Sequence, residues 1–423
     1  MFFVGGRIVK KSILVVLFLL LSLAFWQCSR DTSPVRPGNS RPLTPLEKKL
    51  VQSSNTFGWN LFKEAVVENP DQNIFISPLS VSVALGMTVN GAAGETENAM
   101  KSTLGFGDMS QTEMDQSYKS LIELLRQLDP NVIFQLANSI WCKQGYSFEQ
   151  DFLNKTRTYF QAEVKSLNFS DPKTVDIINQ WAKDHTNGKI TRILDNIPSD
   201  MIMYLINAIY FKGTWTYRFN KDYTKSDLFY LSDGTQDSCK LMNQKGDFEY
   251  FSTGRFEAID LPYGDGAYSM TVFLPREGVD IDSLIAQLTP VAWRQWMAKF
   301  SKQSGTILLP KFKIHYEILL NNVLQKLGME IAFNPQRADF TRMLKIQQQG
   351  NVYIGMVKHN TFVRVDEEGT EAAAATTVGI GVTSVGPRGF LMVVNRPFLF
   401  VIREHASNTI LFAGKIVRPQ WEN

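Results

Sequence analysis

The stretch from Val365 to Asn395, VDEEGTEAAAATTVGIGVTSVGPRGFLMVVN, constrains the fold more than any other part of the chain. Three acids (Asp366, Glu367, Glu368), then Gly369, Thr370 and Glu371, lead into four alanines, and no charge follows until Arg388. Read with the two-residue period of a strand, one face carries Thr370, Ala372, Ala374, Thr376, Val378, Ile380 and Val382. The other carries Glu371, Ala373, Ala375, Thr377, Gly379 and Gly381. The first face begins with small side chains and ends with β-branched ones, so it can slide between existing strands without carrying bulk or charge through the gap. Two readings fit: a spare strand held ready to enter a sheet, and an ordinary buried strand after an Ala-rich turn.

At 423 residues the chain has room for one large domain or two ordinary ones. Hydrophobic content of 44% and charge of 20% suit a sizeable core, while a net charge of +3 and no basic stripe among the aromatics point away from a nucleic-acid partner. Cys28, Cys142 and Cys239 lack the paired spacing of a zinc site or a disulfide framework, and His185, His315, His359 and His405 are scattered, so neither a metal nor another cofactor is expected. Arg7, Lys10 and Lys11 before the apolar run 13–26 have the layout of a secretory signal. Ser22-Leu23-Ala24 offers a peptidase site. Alternatively, Cys28 followed by SRDTSPVRPGNSRPLTP resembles the lipidation cysteine and tether of a bacterial lipoprotein, with Phe25-Trp26-Gln27 in place of the usual small residue before it. The expected organisation is residues 1–28 as signal, 29–43 as an extended Pro-rich tether and 44–423 as one domain, secreted or held outside the cytoplasm by a lipid.

Thr44 with Pro45 and Glu47 makes a capping box, and Leu46, Leu50, Phe57 and Leu61 share one face of the helix that follows. Ser77-Pro78 starts a second helix whose residues LSVSVALGMTV are apolar nearly all round, hence internal. Asn90-Gly91-Ala92-Ala93-Gly94 ends it; no lysine follows in Walker spacing and no strand leads in, so this is a turn and not a phosphate loop. Strands are expected at 132–141, 203–211, 268–274, 306–309, 353–365, 392–394 and 398–402, with helical pattern in the first half and around 319–327. The near-continuous apolar run 203–211 suits a central strand, and Asn207 within it needs partners, since a buried unsatisfied amide costs about 1–3 kcal/mol. The order of elements predicts a mixed α+β domain.

Several of these segments resemble the serpin family. Gly369 to Ala375 (GTEAAAA) resembles the hinge of a serpin reactive-centre loop, and Asn395-Arg396-Pro397-Phe398 with Phe412-Ala413-Gly414-Lys415 resembles the C-terminal signature. NIFISPLS at 73–80, NAIYFKGTWTYRF at 207–219, Pro310-Lys311-Phe312 and Leu327-Gly328-Met329 resemble further family segments, in the expected order from about residue 50 to the end. The resemblance implies a serpin fold: three β-sheets, eight or nine helices and an exposed reactive-centre loop at about 367–394. It implies a hinge of Glu367, Gly369, Thr370, Glu371, Ala372, Ala373, Ala374 and Ala375. It also implies a polar "shutter" of Ser77, Ser80, Asn207 and His359 that lets two strands part, and Trp215 at the "breach" where the loop first enters. A sheet that opens there needs exchangeable hydrogen bonds instead of interlocked apolar side chains.

By the same resemblance the chain is no enzyme but a suicide-substrate inhibitor of serine, or cysteine, endopeptidases. Family spacing from Gly369 places the attacked bond at Thr383-Ser384. The protease would form an acyl-enzyme at Thr383, and residues 369–383 would enter the main sheet before deacylation, a race against turnover of about 1–1000 per second. About a dozen ladder bonds at roughly 0.5–1.5 kcal/mol each, with burial of Val378, Ile380 and Val382, oppose an ordering cost of about 1–2 kcal/mol per residue. With terms of such similar size, a net gain on insertion is what the resemblance implies. Ile380-Gly381-Val382-Thr383 suits an elastase-like or subtilisin-like pocket, Val382 fits a papain-like one, and Arg388 after Pro387 is a second, tryptic site. The chain is expected to be a monomer whose partner is a protease, with membrane contact only through a lipid. Competing readings are a non-inhibitory serpin-fold binding protein or chaperone, which the small hinge residues disfavour, and a serine hydrolase using Ser384. The latter lacks the glycine two residues before the serine and a base beside it.

Overall fold

Thr44 caps the first helix, α1 (Pro45–Glu68), as its sequence requires: the Glu47 amide donates to the Thr44 hydroxyl at 3.2 Å, and the Thr44 amide donates back to the Glu47 carboxylate at 2.7 Å. The second helix, α2 (Pro78–Val89), is capped by Ser77 and is buried along its whole length, as a helix apolar nearly all round must be. The computed structural model describes residues 41–199, 201–345, 351–370 and 389–421. Residues 37–423 belong to one compact unit. Cys28, the hinge residues Glu371, Ala372, Ala373, Ala374 and Ala375, the Thr383-Ser384 bond and Arg388 lie outside the described residues.

Nine α-helices and three sheets make up the described residues, an α+β fold. The main sheet has six strands: β1 (Val132–Lys143), β2 (Glu163–Leu167), β3 (Met203–Thr214), β4 (Phe312–Leu319), β5 (Met356–Asp366) and the two-residue β6 (Gly369–Thr370). Across the sheet they run β4-β5-β6-β3-β1-β2. β3 is central and almost wholly buried, in keeping with its apolar run. A nine-stranded sheet, which includes Phe398–Glu404, Ile410–Ile416, Gln236–Ser252 and Ser301–Pro310, forms the other layer, and Ser147–Phe148 pairs with Leu344–Lys345 in a small third sheet. α2 packs against both β3 and Ile410–Ile416. Within the nine-stranded sheet Phe75 stacks on Phe400 and Phe412 at 5.6 and 5.0 Å, and Phe211 of β3 joins the layers by meeting Phe412 edge-on at 6.2 Å.

Three expectations need correction. The helix expected around 319–327 starts later, because Leu319 ends the alternating strand FKIHYEIL of β4. It is then only Asn321–Leu324, followed by a widened turn, Gln325–Met329, in which Gly328 sits at φ +111°. The strand expected at 306–309 is Ser301–Pro310, its first half exposed and polar. The strand expected at 353–365 begins at Met356. The aromatic junction gives a test: Phe412→Ala should cost about 3–5 kcal/mol, read from the denaturant midpoint, and a loss below about 1 kcal/mol would show that these rings do not hold the layers together.

Candidate functional site

β3 and β5 run parallel and, among the described residues, pair directly only where Tyr204–Asn207 meets Met356–His359. At the far end β6 stands between them, Gly369 and Thr370 antiparallel to Asp366 and Val365 on one side and to Thr214 and Gly213 on the other. Residues 208–212 of β3 and 360–364 of β5 therefore face each other across an opening with no ladder between them among the described residues. The exposed loop expected from Glu367 onward is corrected at its base: Glu367 and Thr370 are only 4% and 2% exposed.

Glycine makes this wedge fit. Gly369 has φ +149°, and a β-carbon on it would lie 2.1 Å from the Gly213 carbonyl oxygen. A side chain on Gly213 would in turn run into the Tyr263 ring. The Thr370 hydroxyl is 2.6 Å from that of Tyr263, whose ring stacks on Trp215 at 4.5 Å and 10°. Trp215 donates its indole N–H to the Asp366 carbonyl and its amide to the Glu368 carbonyl, both at 2.9 Å, and the Phe219 amide donates to the Glu367 carbonyl at 3.0 Å.

Each acid of the DEE run has its own cation. Asp366 pairs with Arg364 at 3.2 Å, Glu367 with Lys311 at 2.8 Å, and Glu368 with Arg218 and Lys221 at 3.1 and 2.9 Å. Burial pushes the Glu367 carboxyl up, but the Lys311 ammonium and the Thr224 hydroxyl, 2.7 Å away, outweigh it and hold the group below the usual carboxylate range. For Asp366 burial wins, and its carboxyl lies above that range.

The opposite end of the opening is polar and buried. The Ser77 amide donates to His359 Nε2 at 3.0 Å, the Ser80 amide to the Ser77 hydroxyl at 3.2 Å, and the Ser77 hydroxyl to the Leu411 carbonyl at 2.6 Å. Asn207, opposite His359 in the register, donates its amide to Asn138 Oδ1 at 2.6 Å. The expected residues Ser77, Ser80, Asn207 and His359 thus lie together. Asn138, Asn360 and Tyr263 join the site without having been singled out; their signal was polarity or aromaticity on buried strands, which many ordinary core positions share. Among the described residues several groups here have no protein partner: Ser80 Oγ, Asn138 Nδ2, Asn207 Oδ1 and both amide atoms of Asn360.

A model of the family described as "Serpin (serine protease inhibitor)" matches residues 52–419. The chain belongs to the serpin family. This serpin is 32% identical to Iripin-2 of Ixodes ricinus over 88% of its own length and 94% of the relative's, and 28% identical to human antithrombin-III over 98% of each. Among solved structures it is similar to the native state of the thermophilic serpin tengpin, with a TM-score of 0.81 at 32% identity over 92% of this chain and 98% of that one. It also resembles human thyroxine-binding globulin in complex with thyroxine, with a TM-score of 0.81 at 27% identity over 89% and 100%. The family is one of protease inhibitors, and its fold is the one described above.

His359 gives this serpin a pH-dependent joint. Complete burial pushes its imidazole down to about 3, and the Ser77 N–H occupying Nε2 requires the neutral ring. The unfolded chain takes up a proton near the ordinary value of 6.5, so acid favours unfolding. This part of the stability is fully present at pH 7.5 and falls below about pH 6.5, by up to about 1.4 kcal/mol per pH unit, until the native ring itself titrates. Comparing urea midpoints at pH 7.5 and 5.5, His359→Gln should show a smaller acid loss than the wild type; an unchanged loss would assign the dependence elsewhere.

Proposed function

We propose that this serpin inhibits serine endopeptidases as a suicide substrate: the protease acylates Thr383, and the cut loop enters the main sheet between β3 and β5 before the acyl bond is hydrolysed. The observation that carries this reading is the opening itself, already started by Gly369 and Thr370 and unladdered beneath them. Strand addition is a general recognition mode, and serpin loops are among its known examples. Glu367 and residues 369–375 serve as the hinge, Trp215 as the breach, and Ser77, Ser80, Asn207 and His359 as the shutter.

The register supports the order of events. Each further loop residue moves one position back along both neighbours, so six residues beyond Thr370 the incoming strand reaches His359 on β5 and Asn207 on β3. That brings Thr376 between them, a small hydroxyl among the unpartnered atoms of Asn207, Asn138 and Asn360. A buried unsatisfied group costs about 1–3 kcal/mol, so supplying partners there favours entry in a way the loop sequence alone does not reveal. A protease dragged along with the cut end need not be unfolded, since displacement by roughly 1 Å in a catalytic site costs about 100-fold.

The segment before the cut, Ile380-Gly381-Val382-Thr383, favours an elastase-like or subtilisin-like target, with a papain-like enzyme next and Arg388 as a second site for a tryptic one. The signal-like pattern of residues 7–28 supports export, as a secreted protein or one lipidated at Cys28 as in bacteria, and in this reading the protein acts as a monomer. Mixing with pancreatic or neutrophil elastase should give an SDS-resistant band near the summed masses, and nicking the loop should raise the melting temperature. Thr370→Arg, which forces a charge against Tyr263, should turn the protein into a substrate that is cut without trapping. Clean cleavage of the wild type by every protease class tested, with no rise in melting temperature, would instead favour the non-inhibitory reading.

A further inference from the structure

The C-terminal tail ends on the same cations that hold the hinge. Asn73 fixes its start: the side-chain oxygen accepts from the Val417 and Arg418 amides at 2.8 and 3.0 Å, and its amide donates to the Arg418 carbonyl at 2.7 Å. The Lys313 amide then donates to the Gln420 carbonyl at 2.8 Å, which lays the tail along the outer edge of β4. From there the Trp421 ring turns onto two cations at once, 4.2 Å from Lys311 Nζ and 4.8 Å from the Arg364 guanidinium. Lys311 precedes β4 and pairs with Glu367, while Arg364 lies on β5 and pairs with Asp366.

We infer that Trp421 is a positioning residue for loop entry, a clasp that joins β4 to β5 through Lys311 and Arg364 and so fixes the two acids from which the hinge departs. A cation between a ring face and a carboxylate is attracted from both sides, and the ring displaces water that would weaken the ion pair. Glu367 is tied through Lys311 to this rim, and Glu368 is tied through Arg218 and Lys221 to the β3 side. Residues beyond Thr370 enter only if β3 and β5 part beneath this turn, and that parting loads both attachments. A rim held rigid by Trp421 resists that movement until the loop is cut; a loosened rim lets the sheet part early.

This inference rests on the inhibitory reading, and the test separates the two. Full-length wild type, Trp421→Ala and Trp421→Phe are held at a fixed temperature below melting, and conversion of the uncut chain to a loop-inserted form is followed by loss of complex formation with elastase and by gain of resistance to loop cleavage. Trp421→Ala should convert about tenfold faster, equivalent to about 1.4 kcal/mol of barrier, and Trp421→Phe within about twofold of wild type. The melting temperatures of the three proteins after loop cleavage should agree, because the clasp acts on the uncut chain. Equal conversion rates for alanine and wild type overturn the inference. So does an equal loss of stability before and after cleavage, which marks a merely structural contact. A wild type that forms no complex and gains no stability on cleavage overturns the inhibitory reading directly, without reference to any variant, and the clasp with it.

Discussion

Two parallel strands that pair at one end and are wedged apart at the other set the terms for the rest of this molecule. A ladder between β3 and β5 is closed at His359 and Asn207, and Gly369 and Thr370 interrupt it at the other end. Among the described residues, a sheet in this condition leaves 208–212 and 360–364 unladdered to one another and several side-chain amide atoms without partners in its middle, a state that a protein interior normally avoids. The surrounding structure makes it tolerable. The second sheet braces β3 through Phe211 and Phe412, and α2 fills the space beneath with a helix apolar nearly all round. Polar groups are concentrated where β3 and β5 meet at His359 and Asn207, and apolar ones where the layers pack.

The three acids before the wedge show why charge belongs there. A carboxylate in a half-buried site destabilises the fold unless a cation and hydrogen bonds accompany it. Glu367 has both, from Lys311 and Thr224, while its neighbour Glu368 faces the opposite rim and pairs with Arg218 and Lys221. Glu367 and Glu368 are the two turn residues between β5 and β6, and with one carboxylate paired on each rim a single turn of backbone stitches the two. Apolar residues at these positions would adhere to either rim without direction; ion pairs fix which acid meets which strand.

Much of this was legible in sequence. The capping box at Thr44, the largely apolar α2 and the central run of β3 follow from spacing and composition, because one local rule decides each of them. The absence of charge between Ala372 and Pro387 carries the expectation of a spare strand, and that stretch lies outside the described residues. What escaped was set by tertiary partners. That Gly369 and Thr370 are already inside the sheet depends on Gly213 lacking a side chain and on the Tyr263 hydroxyl, residues more than one hundred positions away. The strand β2, EVKSL, carries no alternation of apolar residues, and the first half of Ser301–Pro310 is polar and exposed, so neither half-strand announces itself. Trp421 reads as an unremarked residue near the chain end until Lys311 and Arg364 are seen beneath it.

The far end of the loop explains why a two-residue wedge can persist. Beyond residue 388 the chain is anchored again: Phe390–Val393 runs parallel to Ser301–Pro310 in the other sheet, and the Phe390 ring lies flat on Tyr250 at 3.8 Å. Every residue that follows Thr370 into the main sheet carries the leading end about 3.3 Å further from that anchor and removes one residue from the chain that must span the distance. An uncut loop therefore soon runs out of length unless Phe390–Val393 peels away from its partner strand, with the loss of that ladder and of the ring contact. Cutting the loop removes the constraint at a stroke, since the inserted arm then has a free end. On the mechanism proposed above, the same covalent connection restrains the loop and cleavage is the event that frees it to enter, so the free energy of the strands left unladdered among the described residues would be released only after a protease has committed to the bond.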